Sequence, residues 1–341
     1  MGPESVTEPD HRLSGKIKGG PPAFGETTLV TAILLCCLVT MMLPAAGRAA
    51  EPSVPLAADT GRIRETIAFL AGLDPPRNFR QPASLGQAAA FIRHGLTVAG
   101  CTVCDQPFVA GGRTYLNLSA RLGPAGAPRL VVGAHYDVAG NTPGADDNAS
   151  GVAGLLELAH LLKPREQDLA VELELVAYCL EEPPFFATDA MGSVAHARAL
   201  KAAGVPVRGM ISLECIGFFN DAPGSQDYPS PILAPFYPDT GNFIALVGNL
   251  GSSGLVRDLK HRLRSAGVPV EALVAPGWWG GIGLSDHRSY WQEGYQAVML
   301  TDTAFFRNPH YHQPSDTPGT LDLRRLGLVI SGLARALLTL T

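Results

Sequence analysis

Apolar positions along the chain follow two rhythms, and the change between them marks where its organisation shifts. From Arg62 to Leu73 they recur at helical spacing, at Ile63, Ile67, Phe69 and Leu70, until Pro75-Pro76 stops the run, which predicts a first helix. Residues 84–99 predict a second, with Ser84 as its N-cap and Gly100 beyond its end. Two strand-like runs follow, 101–109 and 114–122, with Gly111-Gly112 between them, the pattern of a β-hairpin. From Leu130 onward short, continuous apolar runs take over, at 130–134, 171–180, 210–213, 243–248, 270–275 and 297–301. Helical segments alternate with them, at 151–162, 191–203, 255–266, 286–293 and 321–340. Strands that are apolar throughout are covered on both faces, so the alternation predicts an α/β fold: a central, mostly parallel (mixed) β-sheet flanked by helices on both faces. Residues 217–242 are rich in Pro, Gly, Asp and Tyr without a period, which predicts a long functional loop.

The N-terminus departs from this pattern. Residues 29–43, LVTAILLCCLVTMML, carry no charge, follow Arg12, Lys16 and Lys18, and run into Pro44-Ala-Ala-Gly-Arg-Ala-Ala. This is the layout of an export signal, with Gly47 and Ala49 offering a cut after Ala49; a retained anchor is the alternative, although the run is short for a bilayer span. The expected organisation is therefore an n-region at 1–28, a signal peptide or membrane anchor at 29–50, a linker at 51–60 and one domain at 61–341. The protein is expected to be exported, periplasmic or extracellular, and to touch a membrane only through that anchor.

Composition narrows the reading further. With 341 residues, 46% of them hydrophobic and 17% charged, the chain can bury a large core. The net charge is -5 and no basic run or basic helix face occurs, which excludes nucleic acid as a partner. Nothing points to an obligate protein partner. Beyond the apolar run lie Cys101, Cys104, Cys179 and Cys215, expected as small buried side chains rather than a disulfide framework.

Candidate chemistry gathers where the predicted strands end. His135-x-Asp137 closes the first apolar strand, and Asp146-Asp147-Asn148 opens the helix after it. An imidazole and a carboxylate meeting there suit a divalent metal of the zinc kind, with Asp137 placed to orient the imidazole. Glu181-Glu182 follows the next strand, and adjacent carboxylates repel unless a cation or a proton lies between them. Glu214 closes the strand after that, and His310 and His312, with Tyr311 between them, lie beyond the last one; His287 is a rival imidazole. The ends of parallel strands share one edge of a sheet, where open α/β folds bind their ligands.

The ordered series His135-x-Asp137, Ala145-Asp-Asp147-Asn, Glu181-Glu182, Glu214, Ser285-Asp-His287 and Tyr311-His312-x-x-Ser-Asp-Thr317 resembles the exported di-zinc aminopeptidases of the aminopeptidase Y and bacterial leucyl aminopeptidase type. The resemblance covers about residues 60 to 341. It implies a phosphorylase/hydrolase-like zinc exopeptidase fold, two zinc ions and a peptide substrate. It also implies that Asp147 bridges the ions, with His135 and Glu214 completing one site and Glu182 and His312 the other. Glu181 would be the general base and Tyr311 a residue that steadies the tetrahedral intermediate; Asp146 would cap or support the following helix. In the family an Asp often stands where this chain has Glu214.

The implied function is metalloexopeptidase, releasing N-terminal residues. Carboxypeptidase polarity, a glutaminyl cyclase working with one zinc on the same fold, and a binding ectodomain that has lost its ligands are the alternatives. Trp278-Trp279-Gly280-Gly281 is a candidate wall for a side-chain pocket.

Overall fold

A computed structural model describes residues 56–340. The signal or anchor at 29–50 lies outside the described residues, and among the described residues no helix is long and apolar enough to cross a membrane.

Eight strands form one mixed sheet: β1 (Val103–Ala110), β2 (Arg113–Leu122), β3 (Arg129–His135), β4 (Glu172–Tyr178), β5 (Val207–Glu214), β6 (Ile244–Asn249), β7 (Val270–Ala275) and β8 (Ala297–Thr301). Their spatial order is β1-β2-β4-β3-β5-β8-β6-β7. The β4, β3, β5 and β8 strands run parallel, as do β6 and β7, while β1 and β2 join antiparallel and β6 pairs antiparallel with β8. The hairpin between β1 and β2 turns through Gly111 and Gly112, both at positive φ.

Strand period sorts the core into two layers. Leu130, Val132 and Ala134 of β3, with Leu173 and Leu175 of β4, face one cluster; Val131 and Val176 face the other. The first layer is covered by α1 (Thr60–Ala71), α2 (Pro82–Val98), α3 (Gly151–Leu162), α5 (Ser253–Ser265) and α7 (Leu323–Thr339), the second by α4 (Gly192–Ala202) and α6 (His287–Gln292). The α3 helix is buried over nearly its whole length, packed between the sheet and α1 and α7. Its single acid, Glu157, is buried and takes two hydrogen bonds from Arg62 of α1, so the charge is paired where it leaves water.

Two local expectations fail for physical reasons. Pro82 takes the first position of α2, where its missing N–H costs nothing, so the helix starts earlier and Ser84 is a buried interior residue rather than the N-cap. Cys104 points to solvent from the edge strand β1, whereas Cys101, Cys179 and Cys215 are buried as expected.

Candidate metal centre

Five chain segments deliver the site to one edge of the sheet, Asp147 coming from the helical turn Ala145–Ser150 beyond β3. His135 is the last residue of β3 and Glu214 the last of β5; Glu181-Glu182 follows β4, and His312 follows β8. Three non-glycine residues, Leu180, Cys215 and His312, turn the chain into the site through left-handed backbone, at φ 65, 49 and 54. Each such residue costs about 1 kcal/mol or more, and strain of this kind collects where a site needs it.

The Asp147 carboxylate is the centre of the arrangement. Its Oδ1 lies 3.2 Å from His135 Nε2, and its Oδ2 lies 3.0 Å from His312 Nε2. Glu214 Oε2 is 3.3 Å from His135 Nε2, and Glu182 Oε2 is 3.3 Å from His312 Nε2. Two donor trios result, His135/Asp147/Glu214 and Asp147/Glu182/His312, and within each trio the atoms lie within 4.8 Å of one another. A third grouping, His135 with Glu181 and Glu182, meets the same distance limit. Glu181 Oε2 is 3.9 Å from His135 Nε2, farther than Asp147 or Glu214, so the first two trios are the better metal holders.

The residues fit a cation. His135 Nε2, Asp147 Oδ1, Glu182 Oε1 and His312 Nε2 are buried without a hydrogen-bond partner. Unpaired buried polar groups cost free energy that a divalent ion would offset. Burial raises Glu182 to about 8, with Asp147 adding repulsion, and burial lifts Glu181 well above the carboxylate range, with Glu214 and Glu182 adding to it. Burial opposes charge on Asp147 too, yet the adjacent His135 and His312 imidazoles hold its carboxyl below the ordinary range. Burial likewise opposes a proton on His312, but Asp147 and Glu182 raise it to about 10. An excess of carboxylate is thus held in check by protons that a metal would displace.

Neighbouring groups fix the donors. The Asp137 carboxylate accepts from the backbone N–H of Glu181 and of Glu182, both at 3.1 Å, and its Oδ1 lies 3.6 Å from His135 Nδ1. Asp316 accepts from the N–H of Asp146 at 2.9 Å and of Asp147 at 3.2 Å. Ser285 donates to Glu214 at 2.6 Å, and the Asn148 amide ties Leu213 O to the N–H of Cys215 and Gly151. Ser285 and Asp316 stand inside the motif series with no role legible there; their partners lie 71 and 170 residues away in the chain. Asp146 caps no helix. It accepts from Gly217 N–H and from Asn308, bracing the segments after β5 and β8.

The remaining candidates separate cleanly. His310 bonds Ser315, and His287 is fully buried, bonded to Ile282 O at 2.7 Å and edge-on to Trp291, so neither joins a trio. Tyr311 stacks on the His312 ring, with centroids 3.9 Å apart. Tyr311 and Glu214 border an apolar, partly open cavity whose other walls include Ala245, Val247, Met299, Phe243 and Leu233. Trp278 and Trp279 are not among its walls; Trp278 is 79% exposed, and Gly281 and Leu284 supply that side.

His287 also sets a pH dependence of stability. Burial holds it down at about 4, so between that value and the ordinary histidine range the unfolded chain binds a proton that the folded chain refuses. Stability present above the unfolded pKa is therefore lost as the pH falls through this window. Denaturant titrations at pH 7.5 and pH 5 are expected to show wild type losing about 2 kcal/mol more than His287→Gln; equal losses would remove His287 as the cause.

Fold and donors together define the class: an α/β protein with a metal-ready cluster of imidazoles and carboxylates at the carboxyl ends of its strands. A sequence profile of Peptidase family M28 matches residues 117–336, and the chain belongs to that family. It is 43% identical over 293 residues to the uncharacterized protein YfbL of Escherichia coli (strain K12), covering 83% of this chain and 89% of that protein. Two solved structures share its fold at 20% identity and a TM-score of 0.63. One is the Porphyromonas gingivalis glutaminyl cyclase, covering 83% of this chain and 99% of the cyclase; the other is the Legionella pneumophila LapA aminopeptidase, covering 86% and 76%. At equal likeness the fold does not separate cyclisation from hydrolysis. Family membership makes the protein a peptidase and a peptide its substrate.

Proposed function

We propose that the protein is a zinc-dependent aminopeptidase with two ions, one held by His135, Asp147 and Glu214 and the other by Asp147, Glu182 and His312. The observation that carries this reading is the divided Asp147 carboxylate, one oxygen facing His135 and the other His312. Zinc bound by these residues would lower the pKa of a water to about 7 and polarise the substrate carbonyl. Glu181, buried beside both trios, takes the proton of the attacking water and passes it to the leaving amine. Asp137 holds the backbone of Glu181 and Glu182 and steadies the His135 ring. Tyr311, kept protonated by burial and by nearby carboxylates, donates to the developing oxyanion. The presence of both trios favours hydrolysis over the cyclase reading, which needs one ion. Export through residues 29–50 belongs to the same proposal, tested by sequencing the N-terminus of the mature protein.

The apolar cavity beside Glu214 takes the side chain of the released residue. Ala245→Phe fills it from β6, so kcat/KM for leucine and phenylalanine substrates should fall at least about tenfold while alanine substrates are spared, one lost large apolar contact being worth roughly this ratio or more. A uniform fall would show that the cavity does not read the substrate.

The reading is tested on one peptide in three forms, with a free N-terminus, acetylated, and beginning with Gln. Stepwise loss from the free N-terminus and an inert acetylated form are expected in the mass spectrum. Loss from the C-terminus would reverse the polarity, and loss of ammonia from the Gln peptide alone would favour the cyclase.

A further inference from the structure

The loop from Tyr136 to Asp146 joins two donors of one trio, and its shape sets how far His135 stands from Asp147. A single side chain from outside the matched residues 117–336 grips both ends of it. Arg77 is fully buried. Its Nε donates to Tyr136 O at 2.8 Å, next to His135; its Nη1 donates to Pro143 O at 2.6 Å and its Nη2 to Gly144 O at 2.7 Å, just ahead of the Asp146-Asp147 pair. A fourth bond, from Nη1 to Leu70 O at 2.9 Å, anchors the guanidinium to α1. Its neighbour Asn78, also buried, donates to Gly140 O at 2.5 Å in the middle of the loop.

Among the described residues no carboxylate pairs with Arg77. A fully buried cation bonded only to carbonyls is an expensive way to pin a loop, because the charge pays desolvation without a bonded counter-ion. The charges that surround it belong to the site: Asp147, Asp316, Asp137 and Glu182 all favour its protonated form against burial, which lowers it to about 10. The planar fork reaches carbonyls from both loop ends at once, which an ammonium cannot do. Gly144 fits the same design, since its φ of +62 and a side chain's collision with Asp147 O would exclude other residues from this end of the loop.

We propose that Arg77, assisted by Asn78, is a positioning residue for the metal centre: it clamps the two ends of the loop between His135 and Asp147 and so presets the separation of these donors. The inference rests on the two-zinc reading. It assigns to the N-terminal helical segment a part in building the site, beyond covering the sheet.

The test measures zinc content and the rate of zinc release to a chelator in full-length wild type, Arg77→Lys, Arg77→Gln and Asn78→Ala, with kcat, KM and melting temperature on the same samples. Ile92→Ala in the α2 core serves as a control for destabilisation alone. Both Arg77 variants are expected to release zinc about 10- to 100-fold faster, the effect of losing a group that orients ligands, with kcat lowered and KM little changed. Asn78→Ala should move the same way by less, and Ile92→Ala should lower the melting temperature without changing zinc release. Wild-type release rates in folded Arg77 variants would overturn the proposal. If both Arg77 variants fail to fold, Asn78→Ala decides it, and wild-type release there would overturn it equally. Absence of zinc from the wild type would instead overturn the metal reading itself.

Discussion

Glu181→Gln is expected to lower turnover about a hundred- to ten-thousandfold while leaving metal content unchanged. The substitution keeps the shape of the side chain and its backbone anchor, since the N–H of Glu181 is what Asp137 holds. What it removes is the ability to accept a proton, and a positioned general base contributes about a hundred- to ten-thousandfold. The carboxylate stands 3.9 Å from His135 Nε2, outside the closer contacts that Asp147 and Glu214 make, so neither trio should lose a donor. The check is kcat together with zinc per chain on one preparation. Near-normal kcat would exclude Glu181 as the base, and loss of zinc would mean that it is a ligand, as the third donor grouping allows.

Asp147→Ala is expected to do more, emptying both positions at once. Its two oxygens face different imidazoles, so one deletion leaves two incomplete trios, each with an imidazole and a glutamate. Removal of a single-trio donor, as in Glu214→Ala or His312→Ala, should weaken one position more than the other. Zinc per chain after dialysis distinguishes them: near zero for Asp147→Ala, and about half the wild-type value for the single-trio variants. Two zincs retained in Asp147→Ala would show that the bridge lies elsewhere. Folding is measured alongside, since the same change also removes the imidazoles' carboxylate partner.

Much of this was legible in the chain. Fully apolar runs such as LVVGA and the core of VELELVAYCL mark strands covered on both faces, and polar residues closing such runs must fall on one edge of a parallel sheet. That is why His135, Glu181, Glu182 and Glu214 stand together as read. The hidden parts depend on contacts between distant segments. The insertion of β8 between β5 and β6, and its antiparallel pairing with β6, leaves no local periodicity to detect. Arg77 sits in Pro-Pro-Arg-Asn-Phe-Arg, just past the prolines that stop the first helix, with no local signal for burial; only the carbonyls brought to it by the loop after β3 make it a buried strut. The Trp278-Trp279 pair misled in the other direction: the glycine loop does reach the pocket, through Gly281, but the two indoles are not among its walls.

The most direct measurement of the central claim is a zinc titration of metal-free protein, with binding and release of the N-terminal residue from a free-amine peptide followed at each addition. The account predicts saturation at two zincs per chain, with peptidase activity lost on chelation and restored by zinc. Saturation at one zinc with full activity, or activity that survives complete removal of metal, would contradict it.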